Sequence, residues 1–308
     1  MKYWLGVTDN DWFSFLSRAD VDEVNFWQPS GTAPFVGLQT GAPFLFKLRR
    51  PYNHVAGGGT FVKFSALPLS LAWDVFGNKN GAASRPAFER MIRGLARDRG
   101  ERDPIVGCTV LTSPFFWPQG QWIPEPPGWS SNIVRGRYYD TVEPAGAALW
   151  DSVLQRTNAV RETYNIDDIP DSDRPRYGTP RLSSPRLGQG AFHVVVMDAY
   201  KRHCAITGES TLPTLEAAHI LPFAERGENT ASNGMLMRSD FHRLFDVGLV
   251  TVTPDLRIEV SSRIKEEWFN GKAYYRLHGK QLRSIPDELA LRPSTELLRW
   301  HNENRFVA

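Results

Sequence analysis

Short apolar stretches separated by turn residues run through the first 140 residues and predict strands at 2–7, 42–48, 105–112 and 132–139. The run 55–64 opens with Val-Ala-Gly-Gly-Gly and reads as a hairpin leading into a strand that ends at Phe64. Helical spacing predicts a short helix at 10–16, capped by Asp9 or Asn10. It predicts a longer one at 84–97, where Phe88, Met91, Ile92 and Leu95 share a face. Residues 147–164 are helical in pattern. Residues 165–190 then break it, with four Pro, several Asp and Ser and few apolar positions, and read as a linker. After the linker come a helix at 192–201, with Val195, Val196, Ala199 and Tyr200 near its apolar side, and a short strand at 215–221. An Asn233-Gly234 turn follows. The rhythm of 238–245 is helical and puts His242 and Asp246 one turn apart. Strand, irregular loop, short strand and helix make a β-β-α hairpin.

Composition divides the chain. Its 308 residues suffice for two domains with cores of their own. Most of the ten Trp precede residue 151, which separates an aromatic first half from the rest. A net charge of +2 gives no whole-chain polyanion signature, so any nucleic-acid surface is a local patch. The two cysteines, Cys108 and Cys204, allow one disulfide at most, and a reduced cytosolic setting is simpler. The start lacks a signal peptide's apolar run, and no stretch reaches bilayer length before charges recur, so the expectation is a cytoplasmic protein with no membrane partner. The expected boundaries are 1–155 for the first domain, 156–187 for the linker and 188–308 for the second domain.

Within 215–246 three polar residues, His219, Asn233 and His242, stand at intervals of fourteen and nine. With the flanking CAITG, AAHILP, NGMLMRSDFHRLFD and a closing LLRWHNENRF, this stretch resembles the HNH nucleases, whose ββα-metal motif holds one divalent cation. The resemblance covers about 187–306. It implies that His219 is the general base, that Asn233 braces the loop, and that His242 is a metal ligand. Many relatives carry Asp or His just before the base histidine as a further ligand, and here that position is Ala218. Asp246 is the favoured replacement, Glu216 the second, and water a third. The cofactor expected is Mg²⁺ or Mn²⁺. Structural zinc is not expected, because Cys204-Ala-Ile-Thr207 lacks the second sulfur of a CxxC pair and no later cysteine follows. Cys204 reads as a small buried residue. Among the other histidines, His193 and His203 read as surface or capping residues, and His301 as packing against the motif.

The order of elements in the first half, with its YWLGVT strand, GAPFLFKL strand and Gly-rich segment, resembles the PUA-like superfamily, especially its EVE branch. In such domains a cleft often admits one base turned out of its helix, and an extruded base needs stacking surface. The candidates are Phe26, Trp27, Trp117 and Trp122 for stacking, and Asn25 and Gln28 for hydrogen bonds to a base edge. The same aromatics also suit a small β core. Arg176, Arg181 and Arg186 lie in a stretch free of acidic residues, which reads either as a phosphate contact or as a solvated tether.

The fold class expected is therefore α+β, a PUA-like β-barrel followed by a ββα-metal HNH domain. Together the two resemblances imply a modification-dependent endonuclease of the type IV restriction kind, used in phage defence. It would recognise 5-methyl- or 5-hydroxymethylcytosine in duplex DNA and cut the backbone, with a homodimer suggested by double-strand cutting. Two other readings remain open. One is a modified-base or RNA-binding protein with a decayed nuclease, which Ala218 keeps alive. The other is a nuclease indifferent to modification.

Overall fold

The computed structural model describes residues 1–95, 100–164 and 187–308. It separates two units, residues 1–191 and 192–308. In the first unit, alternation along the strands sends neighbouring side chains to opposite faces of one sheet. The strands are β1 (Lys2–Thr8), β2 (Glu23–Gln28), β3 (Pro43–Leu48), β4 (His54–Pro68), β5 (Ile105–Phe116), β6 (Ile123–Pro124) and β7 (Gly136–Asp140). They join in the order β2-β5-β4-β3-β1-β7, with β6 on β4. Among the described residues only β1 and β3 pair in parallel.

Each face has its own core. Trp4, Phe44, Phe46 and Leu48 pack with Trp12, Phe13 and Leu16 of helix α1 (Asn10–Leu16). The intervening Tyr3, Leu5 and Leu45 pack with Leu149, Trp150 and Val153 of α4 (Pro144–Tyr164). Between these helices in sequence lie α2 (Leu69–Phe76) and α3 (Arg85–Leu95). Burying one such side chain contributes roughly 1.5–3 kcal/mol, so the two aromatic layers are the main source of this unit's stability. Asp9 settles the choice of α1 cap: its Oδ1 accepts the N–H of Asp11 at 3.0 Å and of Trp12 at 3.2 Å. Glu23, fully buried, accepts from Lys79 Nζ at 2.8 Å and from the Gly190 and Ala191 N–H groups at 2.7 Å each.

The structure differs from the sequence reading in three places. The Gly-rich run is not a hairpin but part of the 15-residue strand β4. Its glycines serve close approach: a Cβ on Gly57 would run into Phe115 O, and one on Gly58 would lie 2.6 Å from Phe44 O. Helix α2 is an addition that the pattern does not signal. Helix α4 continues to Tyr164, so the anticipated start of the linker at 156 falls inside it, and residues 187–191 group with the first unit.

The second unit contains helix α5 (Gln189–Ala199) from Phe192 onward, hairpin β8 (Leu215–His219) and β9 (Gly234–Arg238), then α6 (Ser239–Asp246). A second pair, β10 (Val250–Val252) and β11 (Ile258–Val260), precedes α7 (Arg263–Trp268), α8 (Lys272–Tyr275) and α9 (Thr295–Asn304). The fold is α+β in both units. Among the described residues no helix is long and apolar enough to cross a membrane.

The substitution Gly57→Ala should destabilise the first unit by about 1–3 kcal/mol, because the obstructing atom is backbone. Urea unfolding followed by Trp fluorescence checks it, and a midpoint equal to the wild type's would contradict the close-approach account.

Candidate active site

The hairpin register pairs His219, the last residue of β8, with Gly234, and leaves 220–233 as a loop. Asn233 closes that loop. It is 1% exposed, its Oδ1 accepts the Leu221 N–H at 2.8 Å, and its Nδ2 donates to Leu221 O at 3.0 Å and Glu228 O at 2.9 Å. One side chain thus satisfies three backbone groups, and leaving a buried one unmade costs about 1–3 kcal/mol.

His219 is fixed from two directions. Its ring lies over Phe192 of α5, with centroids 4.0 Å apart and planes 12° apart. Nε2 donates to Asn229 Oδ1 at 2.8 Å, since an amide oxygen only accepts. That tautomer leaves the Nδ1 lone pair to take a proton, as a general base requires. Asn229 escapes a sequence reading, for it stands at no motif spacing and its role depends on the course of the loop.

His242, on α6, sits between two carboxylates. Nδ1 donates to Glu216 Oε2 of β8 at 2.6 Å, and Nε2 faces Asp246 Oδ2 at 3.4 Å. Strand alternation puts Glu216 on the same side of β8 as Ala218, and the longer side chain reaches the helix. Imidazole beside carboxylate is a donor set that suits a divalent ion. Because the two acids meet opposite ring nitrogens, only one can share an ion with the nitrogen it faces. The other orients the ring, as the carboxylate partners of metal-bound histidines do. Among the described residues no three His, Cys, Asp or Glu side chains already converge on one point.

His193, expected as a surface or capping residue, is partly exposed, but one of its nitrogens is enclosed. It follows Phe192 on α5, and its Nε2 is shut off from solvent with no hydrogen-bond partner. Burial pushes its pKa below the ordinary value, Glu216 pulls the other way, and His242 adds to the lowering. A buried polar atom left unpaired is uncommon enough to require a reason. Beside the hairpin, Arg238 holds Asp240 through two 2.7 Å bonds, and these keep the Asp240 carboxyl below its usual range. Cys204, fully buried, accepts the N–H groups of Thr207 at 3.4 Å and Arg238 at 3.3 Å through its sulfur, so it also ties the strand ends.

His301 locks α9 onto the same helix. Its ring stacks on Phe245, centroids 3.7 Å apart, Nε2 donates to Phe245 O at 3.1 Å, and Nδ1 accepts from Thr251 Oγ1 at 2.8 Å. Burial lowers its pKa to about 4, the Phe245 carbonyl works against this, and Arg305 adds to the lowering.

The aromatic candidates of the first unit separate into two groups. Phe26, Trp27 and Gln28 line a cavity of ≈ 180 Å³ that Asp9, Arg49 and Arg135 also border. Trp27 Nε1 donates to Asn80 O at 2.9 Å, its ring meets Phe88 edge-on, and Gln28 Nε2 donates to Thr32 O and to Ser30 O. Asn25 is a correction. It is fully buried, and its Nδ2 is committed to Asn80 Oδ1 at 2.8 Å and Cys108 Sγ at 3.3 Å. Trp117 is another, a 3%-exposed member of the core on the α4 side of the sheet. Trp122 packs on Phe13 and Tyr52, its Nε1 donates to Trp117 O at 2.8 Å, and it does not line the cavity. Arg176, Arg181 and Arg186 lie outside the described residues.

A strand ending in an oriented histidine, a braced loop and a helix carrying a second histidine among carboxylates form the ββα arrangement of metal-dependent nucleases. Residues 204–253 match the family model described as HNH endonuclease. The second unit therefore carries an HNH endonuclease module, and HNH endonucleases are metal-dependent. Among solved structures, the chain is similar to the modification-dependent TagI restriction endonuclease at 15% identity and TM-score 0.28, over 96% of this chain and 80% of that one. It is similar to a mutant form of an ASCH protein from Zymomonas mobilis at 11% identity and TM-score 0.25, over 35% and 68% respectively. A third similarity is to the phosphorothioation-dependent type IV restriction endonuclease ScoMcrA, at 13% identity and TM-score 0.18, over 78% and 49%. Comparison with curated proteins gives no match.

Acid should weaken the second unit through His301. In the folded state it stays neutral down to about pH 4, while the unfolded chain protonates it near 6.5, so the unfolded state binds more protons between those values. Stability present above pH 6.5 is then lost as pH falls toward 4, at about 1.4 kcal/mol per pH unit and roughly 3 kcal/mol in all. Thermal melting from pH 7 to 4 should fall less steeply in His301→Gln than in the wild type. Parallel curves would remove His301 as the source.

Proposed function

We propose that the protein is a modification-dependent DNA endonuclease of the type IV restriction kind, recognising a modified cytosine with its first unit and hydrolysing the backbone with its second. The observation that carries the hydrolytic half is His219 held over Phe192 with Nε2 on Asn229, inside the segment that matches the HNH family. In this reading His219 Nδ1 takes a proton from water as the water oxygen bonds to phosphorus and the bond from phosphorus to the leaving sugar oxygen breaks. Phe192 and Asn229 keep the ring from turning away, and Asn233 keeps the loop that carries Asn229 in place. His242, with either Asp246 or Glu216 and with water in the remaining places, would hold Mg²⁺ or Mn²⁺, which when bound supplies Lewis-acid stabilisation to the phosphate and the leaving oxygen.

The cavity at Phe26, Trp27 and Gln28 is the proposed seat of an extruded base. It is smaller than the roughly 300–1,000 Å³ of a drug-sized ligand pocket, which favours a single ring system. Phe26 and Trp27 offer stacking, while Arg49 and Arg135 on the same cavity bring positive charge suited to the flanking phosphates. Discrimination between 5-methyl- and 5-hydroxymethylcytosine, action in bacterial defence, and pairing of two copies for a double-strand cut all belong to this proposal.

Two measurements test it. Matched duplexes carrying cytosine, 5-methylcytosine or 5-hydroxymethylcytosine, incubated with and without Mg²⁺, should be cut only when modified and only with the ion. His219→Ala should slow cutting by about two to four orders of magnitude while DNA affinity holds. Equal cutting of all three duplexes would leave a nuclease without the modification requirement, and no cutting with intact binding would favour a reader whose nuclease is silent.

The first unit's part is tested by Trp27→Ala. Stacking is worth roughly 1–3 kcal/mol per base, so affinity for modified DNA should drop about ten- to a hundredfold. Melting is measured on the same sample, because Trp27 also packs on Phe88. A folded variant that still separates modified from plain DNA would remove Trp27 from the site.

A further inference from the structure

Strand β3 reads Pro-Phe-Leu-Phe-Lys-Leu, apolar and buried at every position except the fifth, which is buried and charged. Lys47 is 4% exposed. Its ammonium meets Glu125 Oε2 at 2.8 Å and Asn53 Oδ1 at 3.4 Å, and stands 5.1 Å from the centre of the Trp129 ring. Lysine is almost never buried this far without partners, because desolvating the charge is costly. An apolar side chain would fill the place without that cost, so the charge is to be explained by what it faces.

It faces a second cleft of the first unit, of ≈ 420 Å³, lined by Lys47, Arg49, Arg50, Asn53, Glu125 and Trp129 among others. Val7, Arg49 and Val134 line both this cleft and the cavity at Phe26 and Trp27, so the two adjoin. Among the described residues lining the cleft, three cations meet one carboxylate. Arg50 is exposed. Arg49 pairs with Asp9 at 3.3 Å, on the side of the smaller cavity. The Trp129 ring is already engaged by the Lys47 ammonium, which favours an anion over a second stacked base as the occupant.

We infer that this cleft seats a phosphodiester of the DNA strand, the one next to the nucleotide whose base enters the smaller cavity. Lys47 and Arg50 are its donors, and Arg49 stands between the base and phosphate seats. Glu125, 37% exposed, holds the ammonium at the cleft wall. The inference rests on the base-reading proposal above and adds a site that the base cavity does not contain.

The test uses the full chain with EDTA, so that nothing is cut, and measures affinity for matched modified and plain duplexes against salt concentration. Arg50→Gln should weaken binding of the modified duplex about two- to fivefold. It should also flatten the slope of log affinity against log salt by about 0.9, the signature of one lost phosphate contact. Lys47→Gln should cost about tenfold, with melting followed on the same sample because the residue is buried. Arg90→Gln, the same charge change at an exposed position of α3, should leave affinity and slope unchanged. Glu125→Gln removes the cleft's carboxylate and should tighten binding. The two phosphates flanking the modified cytosine are then replaced one at a time by neutral methylphosphonate. At one of them the wild type should lose as much as Arg50→Gln does, and Arg50→Gln should lose nothing more. An unchanged slope in Arg50→Gln, an equal loss in Arg90→Gln, weaker binding in Glu125→Gln, or additive losses at both phosphates would each overturn the inference while a wild type that prefers modified DNA keeps the base-reading proposal. A wild type that binds both duplexes alike would overturn both.

Discussion

An imidazole has two nitrogens, and in His242 both are taken up by acids. Glu216 holds one by a hydrogen bond from another strand, and Asp246 faces the other from the same helix. That arrangement fixes the ring plane and ties β8 to α6, so any ion placed beside His242 inherits a position defined by two elements. The helix is anchored in turn. Phe245, three residues on, stacks against His301, whose two nitrogens are also both bonded. The same device recurs on one helix with opposite outcomes. His301 is buried to the point of staying neutral through moderate acid and serves as a strut, whereas His242 is 22% exposed beside carboxylates that remain half open to water.

His219 depends on a different constraint, the loop between β8 and β9. A loop of that length would ordinarily sample many conformations, and fixing each residue costs about 1–2 kcal/mol of entropy. Asn233 concentrates the compensation in one amide by bonding three backbone groups across the loop's two ends. With those ends closed, Asn229 is delivered to His219 Nε2, and the ring's lone pair is left on Nδ1. The asparagine of the motif therefore acts at one remove, through the tautomer of its neighbour.

How much of this is readable in the sequence follows from how local each signal is. Alternation and caps are local, and β1, β3, α1 and α6 lie where pattern puts them, within a residue or two. Gly57, Gly58 and Gly59 mislead because a glycine run signals a turn as readily as two backbones pressed together, and only β3 and β5 on either side decide. His193 misleads because the stretch Val194–Val195–Val196–Met197 leaves it as the polar residue of an apolar helix, which looks like a solvent face. Its Nε2 is nevertheless shut off from solvent, and Glu216 and His242, distant in sequence, act on the ring electrostatically. Asn25 fails as a base reader for the same reason: Asn80, far along the chain, claims its amide.

The aromatic half shows a competition that composition cannot resolve. Trp, Phe and Tyr stabilise a small sheet by burial and read bases by exposure, and each ring can do only one fully. The structure divides them by strand face and loop. Trp4, Trp12 and Trp117 are spent on cores, while Phe26 and Trp27 are partly buried yet border a cavity. Trp27 is held at its edge by Asn80 and Phe88, which commits its indole N–H and fixes its plane. A ring so held gives up hydrogen-bonding freedom and gains preorganisation, so less entropy is lost when a planar ligand stacks on it. Polar contacts to any ligand in this cavity would then come from groups other than the indole, and Asp9 is already divided between capping α1 and pairing with Arg49 at 3.3 Å. A ligand drawing Arg49 toward its phosphate would loosen that pair, which makes the α1 N-terminus the element of the first unit most directly exposed to what the cavity holds.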